Sequence, residues 1–212
     1  MADAPEAVLH HPWEERDRQH EAMLFGLWVF LATEVLFFGG LFLLYTHARA
    51  LEWPSFVQGA RKADPWFGTA NTIVLMTSSL TIAVAERATR AGWFRLGRWG
   101  WIVTAALGAT FLIVKGFEYR SDLKEHLFPG MAGYPFPGGG GATEFWNFYW
   151  MATVVHAIHL TIGIGCVIRL VWLDRKGTLG ERWMGAQVTT VYWHLVDIIW
   201  VVLYPLIYLV GR

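Results

Sequence analysis

The sequence is poor in cysteine and in charged residues. One cysteine, Cys166, occurs in 212 residues, so the chain cannot form an intrachain disulfide or hold a metal with thiolates alone. Charged residues make up only 16% of the chain, against about 25% in an ordinary soluble domain. The 17 basic and 17 acidic residues balance, which leaves no basic field for binding nucleic acid. Thiol redox chemistry and nucleic-acid binding are therefore both disfavoured.

The common signatures of nucleotide and redox-cofactor binding are also missing. The chain contains no Walker loop, no glycine-rich dinucleotide fingerprint and no Cys-x-x-Cys pair. It has no internal repeat. Function must therefore be sought in the apolar segments and in the polar residues inside them.

Long apolar segments dominate the chain. Hydrophobic residues make up 55% of it and aromatic residues 16%. Five segments approach the length of about 20 residues that a bilayer-spanning helix needs. They cover residues 23–46, 68–85, 99–117, 147–172 and 188–210. The predicted fold is an all-α bundle of five transmembrane helices, which forms one membrane domain over 23–212 after a polar tail over 1–22.

The distribution of basic residues predicts the orientation of this bundle. Cytoplasmic loops carry an excess of Lys and Arg. Lys115 and Arg169 lie near span ends, where they can extend toward the headgroups, so they are left out of the count of basic residues in the loops. The remaining basic residues then number nine on the N-terminal side and six on the other, which favours the N-terminus inside and the C-terminus outside. Because the polar tail has no signal-peptide core, the first span is expected to be retained.

Glu34 is the most unusual residue of the first predicted span, because it is a carboxyl group among Leu and Phe side chains. A charged group at the bilayer centre costs about 2.5 to 3.5 kcal/mol on insertion scales, so such residues often have a function. Two interpretations are open. Glu34 is either a protonated, hydrogen-bonded packing residue or a carboxyl that handles protons or senses lipid.

The last two predicted spans contain a second group of polar residues. His156 and His159 are three residues apart, as are His194 and Asp197, so each pair projects from nearly one helix face. The four could bind a zinc or iron ion between two helices. We favour a buried polar network in which the four hydrogen-bond one another, because unpaired polar groups are costly in an apolar interior.

Glu118 and Tyr119 lie just beyond the third predicted span. Tyrosine is enriched at the membrane–water interface, so the pair is interpreted as an interfacial anchor. The alternative interpretation is that Glu118 pairs with the neighbouring Arg120.

Five motifs occur in order between residue 26 and the C-terminus. The first is GLWVFLATEVLFF at 26–38, followed by Asn71-Thr72 with a serine pair at 78–79 and by the Glu-Tyr pair at 118–119. HAIH at 156–159 and YWHLVD at 192–197, with Trp200 and Leu203-Tyr204, complete the series. The series resembles subunit III of cytochrome c oxidase, a haem-copper terminal oxidase, whose corresponding segments include SEVLFF, HGxH and YWHFVD.

The resemblance implies an accessory subunit that holds no haem or copper itself. Such a subunit packs on subunit I beside subunit II and any small subunits, binds structural phospholipid, supports proton uptake and stabilises turnover. Haem and copper belong to the partner subunit, and the complex reacts with cytochrome c, or with quinol, and with oxygen. By the same resemblance, Glu34 matches a buried glutamate that reacts with carbodiimide, and Arg169 matches an arginine associated with lipid headgroups.

The chain departs from the full-length family pattern in three ways. It has five predicted spans where the family has seven, Ala157 replaces the glycine of HGxH, and Gln187 stands where an acidic residue is frequent. Short five-span forms resemble bacterial members, so the bacterial inner membrane is the expected location. The equivalent subunit of a quinol oxidase or nitric oxide reductase is the close alternative. An alternative of another class is a stand-alone intramembrane metalloenzyme or transporter that uses the four His and Asp residues named above.

Overall fold

Six α-helices make up most of the chain in the computed structural model, which describes residues 16–136, 138–179 and 183–210. They are α1 (Arg16–Leu51), α2 (Trp53–Ala60), α3 (Pro65–Arg90), α4 (Phe94–Lys124), α5 (Gly141–Arg175) and α6 (Trp183–Tyr208). No strand occurs within these ranges, and the all-α prediction is confirmed. Most of the predicted polar tail, residues 1–15, lies outside the described residues.

Five of the helices, all but the short α2, are long and apolar enough to cross a membrane. This confirms the predicted five-helix membrane bundle. The helices extend beyond their apolar segments, as α5 shows with 35 residues, or about 52 Å at 1.5 Å per residue. A hydrocarbon core is about 30 Å thick, so the ends of such a helix lie among headgroups or in water.

The helix α6 lies at the centre of the bundle and α1 at its edge. α6 packs against α1, α3 and α5, and 56% of its most apolar stretch is buried. For α1, which packs against α2, α5 and α6, the buried share is only 11%. The other extensive contacts join α3 to α4, α4 to α5, and α2 to α5. Polar groups carried by α6 and by the facing sides of its neighbours are therefore shielded from lipid.

A tight turn makes α3 and α4 an antiparallel pair. Gly92 has φ +79°, a left-handed conformation that glycine adopts without steric cost. The Gly92 N–H donates to the Thr89 carbonyl at 3.1 Å, and the Trp93 N–H donates to the Ala88 carbonyl at 2.8 Å. These two bonds are those of a Schellman motif, which ends α3 and lets α4 begin at Phe94.

The N-terminus of α5 is held by the connection between α1 and α2. The Gly141 N–H lies 2.6 Å from Oε2 of Glu52 and 3.1 Å from Oγ of Ser55, both of which accept. A Cβ atom at Gly141 would lie 2.6 Å from the Glu52 carbonyl oxygen, so only glycine permits this approach. The carboxylate of Glu52 also complements the positive end of the helix dipole. The glycine-rich segment before α5 thus allows the chain to close onto α2.

Aromatic side chains fill the interior of the bundle. The largest fully buried side chains include four tryptophans, namely Trp101, Trp146, Trp193 and Trp200. On the outer surface, large apolar side chains are open, with Leu36 75% exposed and Phe25 72% exposed. A surface of this kind requires lipid or another membrane protein as its surroundings.

Candidate functional site

Glu34 of α1 is paired with His159 of α5. Oε2 of Glu34 lies 2.9 Å from Nε2 of His159, and the two side chains are 15% and 18% exposed. The Phe38 ring stands edge-on to the imidazole, with ring centroids 5.6 Å apart. The Tyr192 hydroxyl of α6 donates to the backbone carbonyl of His159 at 3.0 Å. The pair therefore sits where three membrane helices meet, close to the surface of the bundle.

The contact of His159 with the helix backbone determines which of its ring nitrogens carries a hydrogen. Nδ1 of His159 lies 2.8 Å from the Val155 carbonyl, an acceptor, so Nδ1 carries a hydrogen. Nε2 then faces the Glu34 carboxyl with one proton to be placed between them. That proton can lie on the carboxyl, giving a neutral pair, or on the imidazole, giving an ion pair.

His156 does not join this pair although it is three residues away. Its side chain is fully buried, and its ring contacts both the Phe111 ring at 5.5 Å and the Trp200 ring at 5.1 Å. Neither ring nitrogen has a hydrogen-bond partner within the described part of the chain. The contacts of His156 are therefore those of an aromatic packing residue.

His194 and Asp197 of α6 form a third group with Ser79 of α3. Oγ of Ser79 lies 2.8 Å from Nδ1 of His194. Nδ1 of His194 is 4.0 Å from Oδ2 of Asp197, which is longer than a hydrogen bond. Asp197 is 4% exposed, whereas 36% of the His194 side chain is open. This group joins α6 to α3 and presents its imidazole toward the surface.

The four residues expected to form one buried network are thus divided among three sets of contacts. His159 contacts Glu34, His194 contacts Ser79, and His156 packs against aromatic rings. The expectation fails because side chains three residues apart differ in direction by about 60° around a helix of 3.6 residues per turn. In the described ranges, no three His, Cys, Asp or Glu side chains lie close enough together to hold a metal ion.

A larger polar cluster lies where the C-terminal part of α4 meets α5 and α6. We refer to Lys115, Glu118, Asp122, Tyr149 and Tyr208 as the Lys115 cluster. Nζ of Lys115 lies 3.0 Å from Oε1 of Glu118, 3.2 Å from the Tyr149 hydroxyl and 2.8 Å from the Tyr208 hydroxyl. All five side chains are buried, and the least buried residue, Asp122, is 7% exposed.

The position of the Lys115 cluster corrects two expectations from the sequence. Lys115 is 1% exposed and does not extend toward headgroups, and Glu118 is 2% exposed and does not act as a surface anchor. Tyr119, beside Glu118, is half-buried and packs on Trp150 with ring centroids 4.9 Å apart.

Helical periodicity could have indicated this cluster. The buried face of α4 recurs at steps of three and four residues through the whole helix. Its members are Gly97, Trp101, Thr104, Gly108, Phe111, Lys115, Glu118 and Asp122. Lys115, Glu118 and Asp122 continue this buried face. If the third span had been predicted to extend further along the chain, the same periodicity would have placed these three residues inside the bundle.

Three surface grooves combine apolar walls with a basic side chain at a helix end. One groove of about 440 Å³ between α3 and α4 includes Arg87, and one of about 340 Å³ between α4 and α5 includes Arg175. A third, of about 560 Å³, includes Arg120 and Lys124 near the opposite end of α4. Arg169 is exposed on α5, less than two turns before Arg175.

Comparison with known proteins agrees with these structural features. The protein family that matches residues 14–212 is described as "Cytochrome c oxidase subunit III". "Cytochrome c oxidase subunit 3" of Thermostichus vulcanus is 33% identical over 204 residues, which cover 92% of each chain. "Probable cytochrome c oxidase subunit 3" of Mycobacterium leprae is 30% identical over 194 residues, which cover 87% of this chain and 86% of that protein.

One relative is a much longer protein. "Heme-copper oxidase subunit I+III" of Aeropyrum pernix is 30% identical over 218 residues, which cover 98% of this chain but only 24% of that protein. The matches extend over nearly the whole chain and include all five membrane helices. The chain belongs to the cytochrome c oxidase subunit III family of haem-copper oxidase subunits.

Proposed function

We propose that this chain is a metal-free, non-catalytic subunit of a proton-pumping cytochrome c oxidase and that it packs on the catalytic subunit I beside subunit II. The observation that carries the proposal is the family match over residues 14–212. The Aeropyrum pernix relative, named as subunit I+III, supports the contact because its name places the two subunits in one polypeptide.

The surface of the bundle supports such a contact. Large apolar side chains on α1 are open, including Trp28 at 67% and Leu43 at 72% exposure, and little of this helix is buried by the rest of the chain. Apolar surface of this extent is suited to lipid and to a neighbouring membrane subunit.

Phospholipid binding is the second part of the proposal. Each of the three grooves offers apolar walls for an acyl chain and an Arg or Lys for a phosphate. Arg169 and Arg175 lie at the same end of α5, where a headgroup would be found because the helix is longer than the hydrocarbon core. We propose that both arginines bind headgroup phosphates.

Support of proton uptake is assigned to the Glu34–His159 pair. Oε2 of Glu34 and Nε2 of His159 are 2.9 Å apart, and both side chains remain partly open at the surface of the bundle. A proton could therefore enter or leave the pair without crossing the aromatic core. This arrangement favours the interpretation of Glu34 as a carboxyl that handles protons.

The proposed location is the bacterial inner membrane, with the N-terminus inside. The helix ends on the inner side then include Arg87, Arg90, Arg95 and Arg98 at the α3–α4 turn, in agreement with the excess of basic residues on cytoplasmic loops. The names of the relatives favour a cytochrome c oxidase over a quinol oxidase or nitric oxide reductase. No described group of side chains favours a stand-alone metalloenzyme.

Deletion of the chain from its native organism tests the proposed function. The purified oxidase should keep its haem and copper absorption bands, because their ligands belong to the partner subunit, while its activity should decay sooner during turnover. Absorption spectra and the time course of oxygen consumption measure the two effects. Restoring the gene should restore the lifetime of activity. Loss of a metal band, or an unchanged lifetime, would contradict the proposal.

The two α5 arginines provide a separate test of lipid binding. Arg169→Ala and Arg175→Ala should each lower the phospholipid that co-purifies with the complex, because each removes a charged donor to phosphate. Quantitative mass spectrometry of extracted lipids measures the loss. Arg95→Ala is the matched control for Arg175→Ala, since both arginines are exposed but only Arg175 lines one of the three grooves. Equal lipid content in all three variants and the unaltered protein would exclude the headgroup role.

A further inference from the structure

The hydrogen bonds of the Lys115 cluster require more protons than its ordinary ionisation states supply. Besides the three contacts of Lys115, the Tyr149 hydroxyl lies 2.9 Å from Oε1 of Glu118 and 2.6 Å from Oδ2 of Asp122. The Tyr208 hydroxyl lies 2.6 Å from the same Oε1. The cluster therefore contains five hydrogen bonds and the Lys115–Glu118 ion pair, and three of the hydrogen bonds meet at the Tyr149 hydroxyl.

A charged Lys115 and the two tyrosines together provide five hydrogens, three on the ammonium and one on each hydroxyl. Two ionised carboxylates provide none. The hydroxyl of Tyr149 has one hydrogen for two carboxyl oxygens, and its lone pairs accept from Lys115. The Lys115 hydrogens do not lie on the two contacts between Tyr149 and the carboxyls, so the second hydrogen that these contacts need must come from a protonated carboxyl.

The net charge of the cluster also indicates that one proton is added. With Lys115, Glu118 and Asp122 all ionised, the buried cluster would carry one net negative charge. Lys115 is 1% exposed, Glu118 2% and Asp122 7%, so water screens this charge poorly. Two carboxylates that share one hydroxyl also repel each other, which favours protonation of one of them. A single added proton makes the cluster neutral and supplies the second hydrogen that the two contacts between Tyr149 and the carboxyls need.

We propose that the Lys115 cluster is a proton-binding site, in which Asp122 holds the proton and donates it to the Tyr149 hydroxyl while Glu118 stays ionised. Oε1 of Glu118 accepts hydrogen bonds from Tyr149 and Tyr208 and is paired with the Lys115 ammonium, and these three contacts together stabilise a negative charge there. Within the described part of the chain, the Asp122 carboxyl has a short polar contact only with Tyr149.

Tyr149 also connects the two carboxyls as a relay. If Asp122 gives its proton to the Tyr149 oxygen while the Tyr149 hydrogen passes to Glu118, the charge moves from Glu118 to Asp122 and no proton is gained or lost. The charged and titratable groups that act on Asp122 are Lys115, Glu118 and Glu125 from α4 and the turn after it, and Tyr149 from α5. From α6, Tyr208 contacts Glu118 and so acts on Asp122 only indirectly.

The site is distinct from the Glu34–His159 pair. It lies at the end of the bundle formed by the end of α4, the start of α5 and the end of α6, whereas Glu34 and His159 lie near the middle of α1 and toward the second half of α5. Asp122 is adjacent to Ser121, which lines a surface groove with Lys124. A proton released by Asp122 would therefore have a short path to that surface.

Infrared spectroscopy of the purified complex tests the proposal, because a protonated carboxyl has a C=O stretching band that an ionised carboxylate lacks. The band of Asp122 should shift in deuterated water and disappear in Asp122→Asn. Glu144→Gln is the matched control, since Glu144 is exposed and is not among the groups that act on Asp122, so it should leave the band unchanged. Asp122→Asn should keep the thermal stability of the complex, because the amide can donate to Tyr149 in place of the acid.

A second measurement identifies the residue type that carries the band. Aspartate labelled with ¹³C at the carboxyl is incorporated into an Asp197→Asn chain, which removes the buried aspartate of α6. A band that moves to lower frequency on labelling and is absent from Asp122→Asn supports the protonated Asp122, because the other buried aspartate, Asp174, is present and labelled in both chains. Absence of such a band would overturn the proposal, as would a band that persists in Asp122→Asn or that is lost only in Glu118→Gln.

Discussion

Replacement of Lys115 by methionine is expected to destabilise the protein by about 3 to 5 kcal/mol, the usual cost of removing one partner from a buried ion pair. Lys115 is 1% exposed, and its ammonium makes three polar contacts. Methionine fills a similar volume but leaves the Glu118 carboxylate without its counter-charge. A loss of this size amounts to a large fraction of the stability of a typical domain, so little subunit should assemble into the complex. Subunit content after mild detergent extraction measures the effect.

Two further variants separate charge loss from general damage to α4. Lys124→Met should have little effect, because Lys124 lies exposed at the end of the same helix. Lys115→Met combined with Glu118→Gln should recover much of the loss, since neither buried charge then remains unpaired. If the double variant were no more stable than Lys115→Met alone, pairing with Glu118 would not be what Lys115 contributes.

Trp200→Ala is expected to have an effect of similar size, about 3 to 5 kcal/mol, through loss of packing. The Trp200 side chain is fully buried, and its ring lies 4.7 Å from the Phe111 ring and 5.1 Å from the His156 ring. Its indole N–H donates to the Thr72 hydroxyl at 3.1 Å. Alanine would leave a cavity among α3, α4, α5 and α6. The midpoint of thermal unfolding in detergent should fall accordingly.

Trp99→Ala is the matched control for this substitution. Trp99 is 66% exposed near the start of α4, so its removal opens no internal cavity. The same change of residue type should therefore lower the unfolding midpoint much less at position 99 than at position 200. Equal shifts in the two variants would show that tryptophan content, and not the packing around Trp200, determines stability.

The pairing of Glu34 with His159 illustrates what sequence pattern leaves open. A carboxyl in an apolar span and a histidine in another span each indicate a need for a polar partner. Neither residue specifies the partner, because α1 and α5 are separated by more than 85 residues of chain and meet only through packing. The sequence thus identified both residues as unusual and assigned them to different groups.

The spacing of polar residues led to a wrong prediction for a different reason. Positions three apart on α5 and α6 suggested common sites, yet His156 packs in an aromatic interior while His159 faces α1. Such spacing places two side chains near each other on the helix surface, but the neighbouring helices decide which contacts they make. The prediction that Lys115 extends toward the headgroups was wrong because α4 continues to Lys124 and its buried face continues with it. Lys115 therefore lies inside the bundle.

The sequence by itself determined the all-α membrane class and the number of spans, because a helix that crosses lipid must satisfy its own backbone hydrogen bonds and needs a long apolar segment to do so. Its ordered motifs also indicated the family. Tertiary structure alone decided that Glu34 meets His159, that Ser79 meets His194, and that Lys115 is enclosed with two carboxyls and two tyrosines. Apart from the proximity of Lys115 to the two carboxyls of its own helix, these contacts join residues far apart in the chain, so they follow from how the helices pack against one another and not from any local pattern.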